Sequence, residues 1–242
     1  MSRLWRRYEE EWISLQSLWI RLRLEAAVKA FCCWSGGKES ALSYYRVLKE
    51  QKIKIGCLLN MIDEFSEHSR THGISSTLLQ AQVKAIGSSL TQQKTTWKSY
   101  EIEFKKAVAE FKNGGIEAGV FGDIDLQEHR DWAERVCEDL GIRPMLPLWK
   151  EKREELLEQF IQAGFKAIVV ATNVDFLGKD WLGREINKEL IEELKAMERI
   201  DLCGEKGEYH TFVYDGPIFK KPVKFNLGEK VLQDKHWFLR LA

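Results

Sequence analysis

The chain has 242 residues, 44% of them apolar, with 37 basic against 37 acidic side chains and a formal net charge of zero. That balance, with only 4 prolines, excludes a disordered or low-complexity chain and describes one long enough to bury a sizeable core. Zero net charge also argues against nucleic acid as a partner, because a protein that grips a phosphate backbone normally carries a basic surplus.

No run approaches about 18 uninterrupted apolar residues, so no membrane span is expected. The 5 cysteines, Cys32, Cys33, Cys57, Cys137 and Cys203, contain no C-x-x-C pair. They are expected to be free thiols in a reducing cytoplasm, with no zinc site, iron–sulfur site or disulfide framework.

In residues 1–27, Trp5, Trp12 and Trp19 recur every seventh position among Leu4, Leu15, Leu18 and Leu22, which is helix periodicity. The apolar centre from Trp12 to Ile20 is short for a secretory signal, and Glu9, Glu10 and Glu11 argue against a transit peptide. Three readings stay open: an amphipathic helix packed on the body or on a second subunit of a homodimer, a membrane-surface helix, or a non-native leader.

From Val28 the pattern alternates. Val28 to Trp34 reads as a strand, Lys38 to Glu50 as a helix and Ile53 to Met61 as a second strand. Ile74 to Ile86 is helical, Leu90 to Trp97 is a weaker strand, and Tyr100, Phe104, Ala107, Val108 and Phe111 mark a helix stopped by Asn113-Gly114-Gly115. A strand from Glu117 to Phe121 and a helix from Leu126 to Leu140 follow. Such alternation predicts an α/β fold, a parallel sheet with helices on both faces and ligands at the carboxyl ends of its strands. The loops after Trp34, after Asp63 and after Phe121 would then share one edge.

Those loops carry the chemistry. Ser35-Gly36-Gly37-Lys38-Glu39-Ser40 is a glycine turn opening a helix, the form of a phosphate cradle. It is not a Walker A loop, which would place Gly at Cys32 and Ser or Thr at Glu39. Arg70 and His72 are candidates for binding phosphate or a carboxylate substrate. Gly122-Asp123 brings a carboxylate that, with Glu39, could hold Mg²⁺; the competing reading makes Asp123 a helix cap. His129 and Arg130 sit in the first turns of a helix, where cations oppose the dipole, so an anion is expected nearby.

The texture changes near Leu148, which divides the chain into 28–148 and a smaller α+β region, 149–242. There a charged helix from Glu151 to Ala163, a strand from Ala167 to Thr172 and a helix from Arg184 to Met197 are expected, with edge strands in the last 25 residues. Between them Cys203-Gly204-Glu205-Lys206-Gly207-Glu208-Tyr209-His210-Thr211-Phe212 is too polar and glycine-broken for core and reads as a site loop entering a strand. Glu205, Glu208 and His210 could form an acid/base or metal cluster, against the plainer reading of a hydrogen-bonded loop.

Taken together, the Ser35–Ser40 loop, Thr71-His72-Gly73-Ile74, Gly122-Asp123-Ile124 with His129-Arg130-Asp131-Trp132, Pro147-Leu148-Trp149 and the Cys203–Phe212 loop resemble the diphthine-ammonia ligase family of PP-loop ATP pyrophosphatases. The resemblance runs from about Val28 to Phe225 and implies an adenine nucleotide hydrolase-like domain followed by a smaller substrate domain. It implies ATP with Mg²⁺, adenylation of a carboxylate on elongation factor 2 and displacement of AMP by ammonium. Ser35, Gly36, Gly37, Lys38, Glu39, Ser40, Gly122 and Asp123 would then bind the nucleotide, with Glu39 and Asp123 on the metal. Lys38, Asp123, Glu205 and His210 would be catalytic, while Arg70, His72, His129, Arg130, Glu208, Tyr209 and Thr211 would bind the acceptor. Glu39 stands where the family's loop has Asp. A tRNA-modifying PP-loop enzyme and an ATP-binding sensor without turnover are the alternatives.

Overall fold

The structure, a computed structural model, describes residues 27–242 except 51, 67, 70 and 71. The expectations for the tryptophan-rich leader and for Arg70 therefore lie outside the described residues. Strands β1 (Val28–Cys33), β2 (Ile53–Asp63), β3 (Leu90–Thr95), β4 (Ala118–Val120) and β5 (Arg143–Met145) form a parallel sheet in the order β3-β2-β1-β4-β5. The connecting helices are α1 (Lys38–Lys49), α2 (Ser76–Ile86), α3 (Tyr100–Asn113) and α4 (Gln127–Leu140).

Side chains alternate across β1, so successive residues enter different cores. Cys32 and Trp34 pack with Leu42 and Val47 of α1 and Leu79 and Val83 of α2. Phe31 packs on the other face with Phe104 and Val108 of α3 and Val136 of α4. Both faces are covered, which explains why β1 reads as an unbroken apolar run. Strand order reverses between β1 and β4, so the crevice outside their carboxyl ends is the place a doubly wound sheet offers a ligand.

A second sheet, antiparallel in the order β7-β6-β9-β8, comprises β6 (Lys166–Asn173), β7 (Tyr209–Asp215), β8 (Leu227–Gln233) and β9 (His236–Leu241). Helices α5 (Arg153–Gln162) and α6 (Lys188–Lys195) accompany it. Its buried residues Leu156, Phe160, Ile168 and Phe212 belong to the same apolar cluster as Trp34 and Leu42, so one continuous core joins the two sheets. Among the described residues no helix is long and apolar enough to cross a membrane.

Three local readings change. β5 was not anticipated, because three residues around a proline carry no periodic signal. Residues 184–186 do not begin a helix. They lie along β6, with Val169 N donating to Arg184 O at 2.9 Å and Ile186 N to Ala167 O at 2.9 Å. The helix starts only after Asn187, whose side chain accepts from Leu190 N at 2.9 Å. Finally, of the last two strands only β8 lies at an edge of the sheet; β9 is interior, between β6 and β8, and the other edge is β7. Replacing the cap, Asn187→Ala, should cost about 1 kcal/mol. A lower urea midpoint at unchanged slope is the expected readout, and an unchanged midpoint would return the helix start to Arg184.

Candidate functional site

The loop after β1 is shaped by two glycines with different needs. Gly36 has φ +84°, and a Cβ there would stand 2.6 Å from Leu79 Cδ2. Gly37 is extended, but its Cβ would come within 2.6 Å of His72 Nε2. Between them the chain reverses and opens α1. Ser35 Oγ accepts from Gly37 N at 3.2 Å and lies 3.3 Å from Ser40 Oγ, which donates to Gly37 O at 2.9 Å. The first amide of α1, Lys38 N, donates to Thr211 Oγ1 at 3.0 Å. The amides of Glu39 and Ser40 precede the first intrahelical bond, Ala41 N to Gly37 O, and form the anion-seeking end of the helix.

Lys38 does not extend into the crevice. Its side chain is buried, with Nζ donating to Cys203 O at 2.6 Å, pairing with Glu39 Oε1 at 2.7 Å and sitting 4.4 Å from the Tyr209 ring centroid. Burial alone would lower its pKa, but the Glu39 carboxylate, Tyr209 and Cys203 together more than offset this and keep the ammonium charged. Val213 N donates to Gly36 O at 2.9 Å. Residues 203–213 are thus tied across the Ser35–Ser40 loop at three points: Cys203, Thr211 and Val213.

Within that strap the side chains divide by direction. Glu208 is fully buried and accepts from Asp201 N at 2.9 Å and Lys206 N at 3.0 Å. Tyr209 O–H donates to Leu202 O at 2.5 Å. Both shape the loop from inside. Glu205 is half-buried, and its carboxyl is pushed up to about 7 by burial and by the nearby carboxylates of Glu39 and Asp123. Gly122 lets β4 approach α1: a Cβ there would lie 3.3 Å from Glu39 C and Ser40 N.

Asp123 is not the helix cap. That position is Leu126, while Asp123 Oδ1 lies 3.0 Å from His129 Nδ1. The hydrogen bond to Asp123 raises the His129 pKa, so Asp123 is the anion that offsets a cation in the first turn of α4. Arg130 instead donates to Glu134 Oε1 at 2.6 Å, and its guanidinium lies 5.1 Å from the Trp149 ring. On the opposite side of the loop, the His72 and His210 rings pack with centroids 4.6 Å apart. Burial and the Lys38 charge bring His210 down to about 3; burial, then His210, also lowers His72. Two neutral rings can therefore pack at a tilt beside Gly37. Among the described residues no three His, Cys, Asp or Glu side chains stand close enough to form an all-protein metal cage.

Two residues that hold the site together were missed in the sequence. Gln82, fully buried in α2, donates to Gly36 O at 3.0 Å and Val213 O at 2.6 Å, and accepts from Trp34 Nε1 at 2.7 Å. The available signal was an amide on the apolar face formed by Leu78, Leu79 and Val83. Arg153 spans Asp125 and Asp201, ligands that lie 28 and 48 residues away in sequence.

Gln82→Leu should destabilise the fold by about 2–4 kcal/mol, since it strands a buried indole N–H and two carbonyls. Urea unfolding checks this, and a loss below about 1 kcal/mol would remove the bridging role. The histidine pair sets an acid limit. Each ring binds a proton near pH 6.5 when unfolded but only at lower pH when folded, so stability falls as pH drops below about 6.5. Wild type should lose up to about 1.4 kcal/mol per pH unit per ring relative to a His72→Gln/His210→Gln variant, measured between pH 6.5 and 4. Parallel curves would refute it.

Comparison with known proteins matches residues 28–144 to the family model described as diphthamide synthase N-terminal domain, and residues 152–241 to that described as diphthamide synthase C-terminal domain. A Mus musculus protein named diphthine–ammonia ligase is 34% identical over 133 residues, 52% of this chain and 49% of its own length. The Homo sapiens protein of that name is 32% identical over 132 residues, with the same coverage. That of Schizosaccharomyces pombe is 33% identical over 110 residues, 45% of this chain and 18% of its own. The chain spans about half the length of the mammalian relatives it matches.

Proposed function

The chain belongs to the diphthamide synthase family, and we propose that it is an ATP-dependent amide-forming ligase whose acceptor is the carboxylate of diphthine on elongation factor 2, in the cytoplasm. The observation that carries this reading is the meeting, at the β1/β4 reversal, of the Glu39 and Ser40 amides with Asp123 and Glu205. Residues 28–148 then form the nucleotide domain and 149–242 the substrate domain. The loop from Ser35 to Ser40 takes the pyrophosphate end of ATP, through backbone N–H groups and two hydroxyls.

The acceptor carboxylate oxygen attacks the α-phosphorus, and the bond to the β-phosphate bridging oxygen breaks with loss of pyrophosphate. Ammonia, formed when ammonium gives a proton to Glu205, then attacks the acyl carbon; AMP departs and the new amide releases a second proton. Glu205 suits that transfer because its carboxyl titrates close to neutrality. His129 and Arg130 line the approach for the acceptor, while His72, His210 and Thr211 pack against the glycine loop and, with Glu208 and Tyr209, fix the shape of the strap beside it.

Glu39 and Asp123 would hold Mg²⁺, which needs only one or two carboxylates beside phosphate oxygens. Bound there, Mg²⁺ would neutralise charge building on the phosphates.

Incubation of the protein with ATP, Mg²⁺, ammonium and diphthine-bearing elongation factor 2 should yield AMP, pyrophosphate and the amide. ADP and phosphate would overturn the reading, and tight ATP binding with no product would favour a sensor. Ser35→Ala and Asp123→Ala should each reduce pyrophosphate release by at least about 100-fold while leaving the melting curve close to wild type.

A further inference from the structure

The Asp201–Glu208 turn is held from outside by a single guanidinium. Arg153, the first residue of α5, forms a two-pronged pair with Asp125, Nη1 to Oδ2 at 2.6 Å and Nη2 to Oδ1 at 2.7 Å. Its third edge, Nε, donates to Asp201 Oδ2 at 2.9 Å. The other oxygen of Asp201 accepts from Cys203 N at 2.9 Å and lies 3.5 Å from Glu205 N. Cys203 Sγ also points at Arg153 O, 3.7 Å away. A continuous chain of contacts therefore runs from the residue two places after Asp123, through Arg153 and Asp201, to the backbone of Glu205.

We propose that Arg153 is a positioning residue: it locks the turn carrying Glu205 to the loop carrying Asp123, and so fixes the separation of the two carboxylates across the crevice. Only a planar fork can do this. One face of the guanidinium satisfies Asp125 in bidentate fashion while Nε remains for Asp201, a geometry a lysine ammonium cannot reproduce. Both carboxylates in turn favour the charged guanidinium, and Arg153 holds Asp125 below the usual carboxylate range. Lys38 holds the same turn from the nucleotide side through Cys203 O, so the turn is gripped between phosphate loop and α5. Displacement of a reacting group by about 1 Å costs on the order of 100-fold in rate, which is the scale on which such a lock acts.

The inference rests on the proposed ligase reading for its kinetic consequence but not for its structural one, and the test separates them. In the full chain, Arg153→Met should accelerate amide hydrogen exchange across residues 201–208 by at least about tenfold while exchange in β1, β2 and β4 stays at wild-type rates. AMP formation should fall by about 10- to 100-fold in kcat with KM for ATP changed by less than about twofold, and Arg153→Lys should recover part of the loss. If Arg153→Met fails to fold, Asp125→Asn, which removes only one arm, decides by the same exchange pattern. Unchanged exchange across 201–208 in a folded variant overturns the proposal. A wild-type protein that makes no AMP would overturn the ligase reading instead, and the exchange result would still stand or fall on its own.

Discussion

The arrangement depends on a buried lysine. Lys38 could have served as a free cation at the end of the phosphate loop, but its ammonium is enclosed by Glu39, the Cys203 carbonyl and the Tyr209 ring. Burying an ammonium costs several kcal/mol unless it is fully paired, so these contacts are conditions for the loop's shape rather than additions to it. Because the Cys203 carbonyl and the Tyr209 ring belong to the second sheet's region, the phosphate loop takes its observed form only when both halves are folded together. The shared apolar cluster from Trp34 to Phe212 says the same in packing terms. The Glu39 and Ser40 amides at the start of α1 carry the partial positive charge of a helix end without needing a basic surplus. That agrees with a chain of zero net charge.

A neutral histidine pair fits the same logic. With Lys38 fixed and charged close by, a second positive group beside Gly37 would be doubly penalised, by burial and by repulsion. Neutral rings packed at a tilt fill the space against the loop, and His72 can stand there only because residue 37 has no Cβ. The glycines are therefore set by neighbours as much as by a ligand: Gly36 by Leu79 and its positive φ, Gly37 by His72, Gly122 by the first turn of α1.

The parallel sheet was legible because β1, β2 and their helices carry strong periods, and because alternation of strand and helix leaves few topologies. The glycine turn between β1 and α1 was legible from local chemistry alone. What sequence could not give was direction. Lys38 and Glu208 carry charges that ordinarily point to water, yet both are buried, and only contacts more than 160 residues distant for Lys38 explain why. Arg153 looked like one more charge in an acidic helix, since its partners lie in segments that meet only after folding. The extended stretch 184–186 was read as helix for a related reason: its conformation is imposed by pairing with β6 across the chain, which overrides local propensity.

Glu39 shows how the pieces constrain one another. At the second position of α1 a carboxylate is favoured by the helix dipole, and the Lys38 ammonium 2.7 Å away fixes where its longer side chain goes. Gly122 packs against its backbone, so α1 cannot shift toward β4 without a clash, nor away from the 203–211 strap without breaking the bond from Lys38 Nζ to Cys203 O. The extra methylene relative to an aspartate is thus taken up by an ion pair anchored in the second sheet's loop. A shorter carboxylate would reach the same ammonium only if the loop moved with it. The length of residue 39, the burial of Lys38 and the position of the 203–211 strap are one coupled choice, and the crevice between β1 and β4 is the space that choice leaves open.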